Sequence, residues 1–122
     1  MHELSIAQSL VEQVVAVAAR ERASAVLEIT VVVGSLSGIE PEALELAFPL
    51  AAEGTPAQGA RLVIERKTAT LTCRACGRVT EPDLALLVCG ACGSLDVALS
   101  GGRDLQLRSV TLETPAEEAA NA

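Results

Sequence analysis

Cys73-Arg74-Ala75-Cys76-Gly77 and Cys89-Gly90-Ala91-Cys92-Gly93 are two copies of one motif, Cys-x-x-Cys-Gly, with twelve residues between Cys76 and Cys89. Each pair can set two sulfurs on one ion from a tight turn. The glycine after each second cysteine permits the positive φ that such turns often need. Two of these knuckles facing each other form a tetrahedral S₄ site with bonds of about 2.3 Å, the preference of Zn²⁺. No fifth donor lies nearby in the sequence, so Cys73, Cys76, Cys89 and Cys92 predict a closed, structural zinc site. Two other chemistries compete for the same sulfurs. A redox pair needs its Cys-x-x-Cys at the start of a helix in a βαβ setting, which neither motif has. Iron–sulfur ligation uses the same donors.

The second candidate is the opening Met1-His2-Glu3, which holds the only histidine of the chain. The amine of Met1, the backbone nitrogen of His2 and its imidazole Nδ1 can chelate one cation in fused small rings. The amide or the carboxylate of Glu3 can complete the set. Such a planar, nitrogen-rich arrangement suits Ni²⁺ or Cu²⁺, whereas Zn²⁺ prefers a tetrahedron. Imidazole binds metal only when deprotonated, so affinity should fall as pH drops through the ordinary histidine range near about 6.5. The plain alternatives are a frayed terminal histidine and an acid favoured by the dipole at a helix start. Spacing alone does not choose between them.

Several elements must position these residues. Ser5 and Gln8 fit a capping box, and Ile6, Leu10, Val14 and Ala18 recur every four residues, predicting an amphipathic helix from about Ile6 to Arg22. Val26 to Val33 alternates as a strand, with Leu27, Ile29, Val31 and Val33 on one face and Glu28 and Thr30 on the other. Gly34 to Gly38 is a loop. Pro41 suits a first helical turn, and Leu44, Ala47, Phe48 and Ala51 continue the helical spacing. Pro49 lacks an N–H and clashes with the preceding turn, so a kink or an early end is expected near Phe48. A loop over 54–59 precedes a second strand from Arg61 to Lys67. Short strands are expected just before Cys73 and over Leu84 to Val88, as in a zinc ribbon. The last strand, Asp104 to Glu113, changes phase between Leu107 and Val110, which predicts a bulge around Arg108 and Ser109.

Composition narrows the partners. The chain has 122 residues, half of them apolar, with Phe48 as its single aromatic residue. Its net charge is −7, and four thiolates around one Zn²⁺ would take that to about −9. Phosphate backbones and anionic membranes repel such a chain, leaving proteins, cations and small molecules as partners. A nucleic-acid-binding ribbon, or a ribbon that serves only as an interaction module, is the alternative. Arg74 and Arg78 would supply its positive charge, without any aromatic residue in the cysteine segment for base stacking. No stretch reaches the roughly 20 apolar residues that span a bilayer, and no positive n-region opens the chain, so the expected compartment is the cytoplasm. Cysteines kept reduced there favour metal over disulfides. Nothing in the sequence sets out a base, nucleophile and pocket for turnover, so no enzymatic activity is expected.

The stretch Met1-His2-Glu3-Leu4-Ser5-Ile6-Ala7-Gln8-Ser9-Leu10 resembles the opening of the HypA/HybF family of hydrogenase maturation nickel chaperones. The likeness continues through Val33-Gly34-Ser35-Leu36-Ser37-Gly38, Pro41-Glu42-Ala43-Leu44 and both cysteine motifs. It extends to Cys92-Gly93-Ser94-Leu95-Asp96-Val97 and Gly102-Arg103-Asp104-Leu105, covering the chain to about Glu113. The resemblance implies an α+β fold: a nickel-binding domain with two helices and a three-stranded sheet, plus an inserted zinc-ribbon-like domain. Its boundaries here are 1–69, completed by the strand 103–113, for the nickel domain and 70–102 for the zinc domain, with a disordered acidic tail at 114–122. It implies His2 as principal nickel ligand, helped by the amine of Met1 and by Glu3, with Glu40 as an acid near the nickel. Zinc on the four cysteines is the implied resident metal, and nickel the cargo. The implied partners are a HypB-type GTPase and the large-subunit precursor of [NiFe] hydrogenase; some members also serve urease. A monomer and a homodimer both remain open. Pro49 in the second helix, Gly90 in place of a frequent proline, and aliphatic residues at the usual aromatic positions depart from the family pattern.

Overall fold

The computed structural model describes residues 2–83 and 85–115, apart from the side chain of His2. Met1, Leu84 and most of the acidic tail (116–122) lie outside the described residues, and with them the expectation of a disordered tail end. Eight elements follow one another: α1 (His2–Arg20), β1 (Ala25–Gly34), α2 (Pro41–Ala52), β2 (Arg61–Lys67), β3 (Thr70–Cys73), β4 (Val79–Thr80), β5 (Val97–Ser100) and β6 (Leu105–Glu113). The α+β reading holds.

Helix α1 starts at His2, four residues before the expected start, so Ser5 is a helical residue and not the cap. The reason is packing. Leu4 joins the core edge, extending the buried stripe of Ala7, Leu10, Val11, Val14 and Ala18 one turn toward the N-terminus. At the other end the helix stops at Arg20, two residues short of the expected Arg22. Arg22 takes a left-handed φ of 57°. The amide of Ala23 then reaches Ala18 O at 2.8 Å and that of Arg22 reaches Ala19 O at 3.2 Å, the paired bonds of a Schellman ending.

Strand β1 is the centre of a three-stranded sheet in the order β2-β1-β6. It runs parallel to β2, with α2 as the crossover, and antiparallel to β6. Ile29, Val31 and Val33 face the helices and are buried as expected, but Leu27 is 47% exposed. The register slips between Val26 and Glu28, so Leu27 sits on a bulge and Val26, not Leu27, enters the core. The bulge predicted in the last strand is present. Thr30 pairs with Ser109 and Val31 with Leu107, leaving Arg108 as the extra residue. That slip lets Leu105 and Leu107 join Val110 and Leu112 against the same core. On the outer face Arg108 reaches across β1 to pair with Glu65 of β2.

Helix α2 does not end near Phe48; it runs on to Ala52 with Pro49 inside. Proline in a helix interior costs about 3 kcal/mol. Here Pro49 and Glu45, whose carbonyl loses its intrahelical donor, both lie on the exposed side. Burial of Phe48, about 1.5–3 kcal/mol, together with Ala52 keeps the last turn in place.

The second sheet is antiparallel, in the order β4-β3-β5. The strand expected before Cys73 is β3, but 85–88 forms turns and bends, and the other edge strand is β5. Pairing falls to β5 because Cys73 aligns with Val97 and Thr70 with Ser100, immediately after the second knuckle closes. Leu71 is the one large aliphatic side chain buried within this sheet, while Val79 and Leu95 stand 62% and 79% exposed. The loop after β1 joins the two sheets. Leu36 N–H donates to Gly102 O at 2.5 Å, Ala69 N–H to Ser35 Oγ at 3.0 Å, and Gly34 N–H to Asp104 O at 2.7 Å. Among the described residues, no helix is long and apolar enough to cross a membrane.

Candidate metal centre

The two cysteine motifs fold twice in the same way. Cys73 N–H donates to Arg78 O and Cys89 N–H to Ser94 O, both at 2.9 Å. Gly77 N–H returns to Cys73 O at 2.9 Å and Gly93 N–H to Cys89 O at 2.8 Å, with φ of 78° and 77° at the two glycines. These left-handed corners explain why glycine follows each second cysteine. Inside each turn the first sulfur accepts a backbone N–H: Cys73 Sγ from Cys76 at 3.3 Å, Cys89 Sγ from Cys92 at 3.4 Å.

Facing each other, the knuckles bring the four sulfurs within 4.8 Å of one another. Cys73 Sγ lies 3.6 Å from Cys92 Sγ, and Cys76 Sγ 3.6 Å from Cys89 Sγ. A tetrahedron with Zn–S bonds of about 2.3 Å has edges of about 3.8 Å, so the donor set and its spacing fit that ion. A disulfide would need about 2.05 Å, and none of the cysteines is bonded to another. Cys73 and Cys89 are buried, and Cys76 and Cys92 exposed.

Electrostatics divide the thiols. The N–H groups of Cys92 and Ala91 pull Cys89 down to about 6. The N–H of Cys76 lowers Cys73, against the opposing effect of desolvation. Cys92 receives help from the N–H of Ser94, but crowding by Cys73 and Cys89 outweighs it and pushes this thiol up to about 12. Without a cation the cluster therefore keeps a proton on Cys92. A divalent ion held by Cys73, Cys76, Cys89 and Cys92 would take the place of the thiol protons.

Arg74 does not present a bare positive charge. Its guanidinium pairs with Asp96 at 2.9 Å, and its N–H donates to Asp96 O at 2.9 Å, tying the first knuckle to the strand entry after the second. Sequence reasoning missed this use of Asp96; its signal was an acid three residues past Gly93 to answer the base inside the first Cys-x-x-Cys.

Glu3 and Glu40 lie at the end of the first sheet where the loop after β1 leaves, the end that adjoins the second sheet. His2 opens α1, with Met1 outside the described residues. Glu3 Oε2 accepts a hydrogen bond from Glu40 N–H at 3.2 Å. Glu40 is the N-cap of α2, with extended backbone and no side-chain cap bond of its own. It also borders a cleft of about 370 Å³ with Ser35, Arg66 and Lys67. Thus the structure brings Glu3 and Glu40 together, one residue along from His2. The four cysteines are the one group of potential metal ligands drawn into a cluster among the described residues.

A small α+β protein whose four cysteines gather at the spacing of a tetrahedral metal site beside its second sheet is a candidate metal-binding protein. A model of the HypA family, described as hydrogenase/urease nickel incorporation, metallochaperone, matches residues 1–112. The chain belongs to the HypA family of nickel metallochaperones of hydrogenase maturation. It is 42% identical over 113 residues to the hydrogenase maturation factor HypA of Chlorobium limicola, covering 93% of this chain and 97% of that one. The HypA of Chlorobaculum tepidum is 44% identical over 113 residues, covering 93% and 100%. The solution structure of the Ni metallochaperone HypA from Helicobacter pylori superimposes with a TM-score of 0.62 at 25% identity, covering 92% of this chain and 97% of that one. A second solution structure of a HypA protein gives 0.64 at 27% identity, with 92% and 96% covered.

Proposed function

We propose that this chain carries Ni²⁺ at its N-terminus and delivers it to the large-subunit precursor of [NiFe] hydrogenase, while a resident Zn²⁺ on Cys73, Cys76, Cys89 and Cys92 folds the inserted module. His2 is the principal nickel ligand, through its imidazole Nδ1 and backbone nitrogen. The amine of Met1 and the amide or carboxylate of Glu3 complete the set, and Glu40 adds a nearby acid. The observation that carries this reading is the bond from Glu40 N–H to Glu3 Oε2, which holds the first turn of α1 against the start of α2. Because α1 begins at His2, the amides of that turn have no carbonyl of the same helix to serve, which suits them to metal coordination.

Two units follow from this division of labour. Residues 1–69 with the strand 103–113 handle nickel, and 70–102 handle zinc. The site does no bond-making chemistry of its own, so the protein acts as a carrier and not an enzyme. Its acidic surface and reduced thiols suit the cytoplasm, with a HypB-type GTPase as the partner that works beside it. The test is a nickel titration of zinc-loaded protein. The wild type should bind one Ni²⁺ per chain, and His2→Ala should lose that binding while its amide spectrum stays folded. Unchanged nickel affinity in His2→Ala would remove His2 from the site.

A further inference from the structure

The capping arithmetic of α2 leaves one place unfilled. With Glu40 as N-cap and Pro41 as the first helical residue, the third helical position is Ala43. In a capping box an acid at that position accepts the N-cap's own backbone N–H. Alanine has no acceptor, and the Glu40 side chain caps nothing. The missing acceptor comes from another helix instead, as Glu3 Oε2 takes the Glu40 N–H at 3.2 Å.

We infer that Glu3 is a positioning residue whose carboxylate completes the capping box of α2 in trans, and that its carboxylate is not the nickel donor. The inference rests on the proposed N-terminal nickel site and selects between the two ways Glu3 could serve it. Three observations combine. The carboxylate already holds the Glu40 N–H. It lies at the positive end of the α2 dipole, which favours an anion there. The residue it anchors is one step from His2, so each nitrogen that His2 offers is carried on the turn that this bond fixes. Losing the bond lets the first turn of α1 lift away from α2, since Leu4 and Ile6 there are only partly buried.

Positioning and ligation are separable because glutamine keeps a carbonyl oxygen at the same place while losing the charge. Glu3→Gln and Glu3→Ala are compared in zinc-loaded protein by two measurements, hydrogen exchange of the Glu40 amide and titration with Ni²⁺. A positioning role predicts that Glu3→Gln keeps the Glu40 amide protected and holds nickel within about threefold of wild type. Glu3→Ala should speed exchange of that amide by roughly tenfold, the loss expected for one hydrogen bond to a charged acceptor. It should weaken nickel binding as well. The inference is overturned if Glu3→Gln loses nickel as fully as Glu3→Ala while its Glu40 amide stays protected, since the carboxylate is then a ligand. It is also overturned if neither variant changes that amide. Should wild type take up no nickel at all, the proposed carrier function fails, and the amide measurement still decides whether Glu3 caps α2.

Discussion

Stripping the metal from the four-cysteine cluster should unfold 70–102 and leave the rest of the molecule standing. Among the described residues, the only buried apolar side chains in that stretch are Leu71 and the two cysteines Cys73 and Cys89. Burying one leucine contributes about 1.5–3 kcal/mol, whereas ordering each residue's backbone costs about 1–2 kcal/mol. Leu71 therefore offsets the ordering of about two residues, far fewer than the strands β3, β4 and β5 and the two knuckles contain. A structural Zn²⁺ site contributes about 10–16 kcal/mol, several times what the one buried leucine does. The core beneath the first sheet, with Val14, Ile29, Val31, Leu44 and Phe48 fully buried, draws nothing from the module. Amide hydrogen exchange with and without a chelator reads both parts at once. The knuckle amides of Cys73, Gly77, Cys89 and Gly93, each bonded to a carbonyl at 2.8–2.9 Å, should lose protection by at least about a hundredfold. Amides of β1 should change little. Knuckle amides that stay protected without metal, or β1 amides that open together with them, would refute this reasoning.

Zinc affinity should steepen in its pH dependence near pH 6. The Cys89 thiol sits at about 6, so above that value it is already a thiolate, and below it the metal must displace one more proton. Affinity then falls by about a further factor of ten per pH unit; a competition titration between pH 5 and 8 that shows no break near 6 contradicts the assignment. Gly34→Ala would place a Cβ 2.2 Å from Gly102 O and 2.4 Å from its carbonyl carbon, both backbone atoms that cannot swing aside. A destabilisation of about 3 kcal/mol or more is expected in urea unfolding, and a change under about 1 kcal/mol would mean that the connection at Gly102 moves away from β1 more easily than its bond from Leu36 N–H implies.

The cysteine centre was legible because its chemistry is written in spacing: two identical motifs fold into two identical knuckles. The bulge in β6 was legible for a similar reason, since a change of phase between Leu107 and Val110 has no other solution if both ends face one core. What escaped was decided by packing. Ser5 has the look of a cap, yet Leu4 extends the apolar stripe and pulls the helix start to His2. Leu27 fits the alternation of β1, yet a bulge turns it outward. Pro49 is tolerated because the side of α2 that bears it faces solvent while Phe48 and Ala52 are held from beneath. The bond between Glu3 and Glu40 joins residues 37 apart and left no local trace beyond an alanine where a capping acid was due.

Two metals in two separate places is the central claim, and nickel-edge X-ray absorption on protein carrying one zinc and one nickel tests it most directly. The account predicts a nickel shell of nitrogen and oxygen only, with the outer-shell scattering of one imidazole that vanishes in His2→Ala. A sulfur shell around nickel, at the roughly 2.3 Å of a metal–thiolate bond, would place the cargo on the cysteines and contradict it.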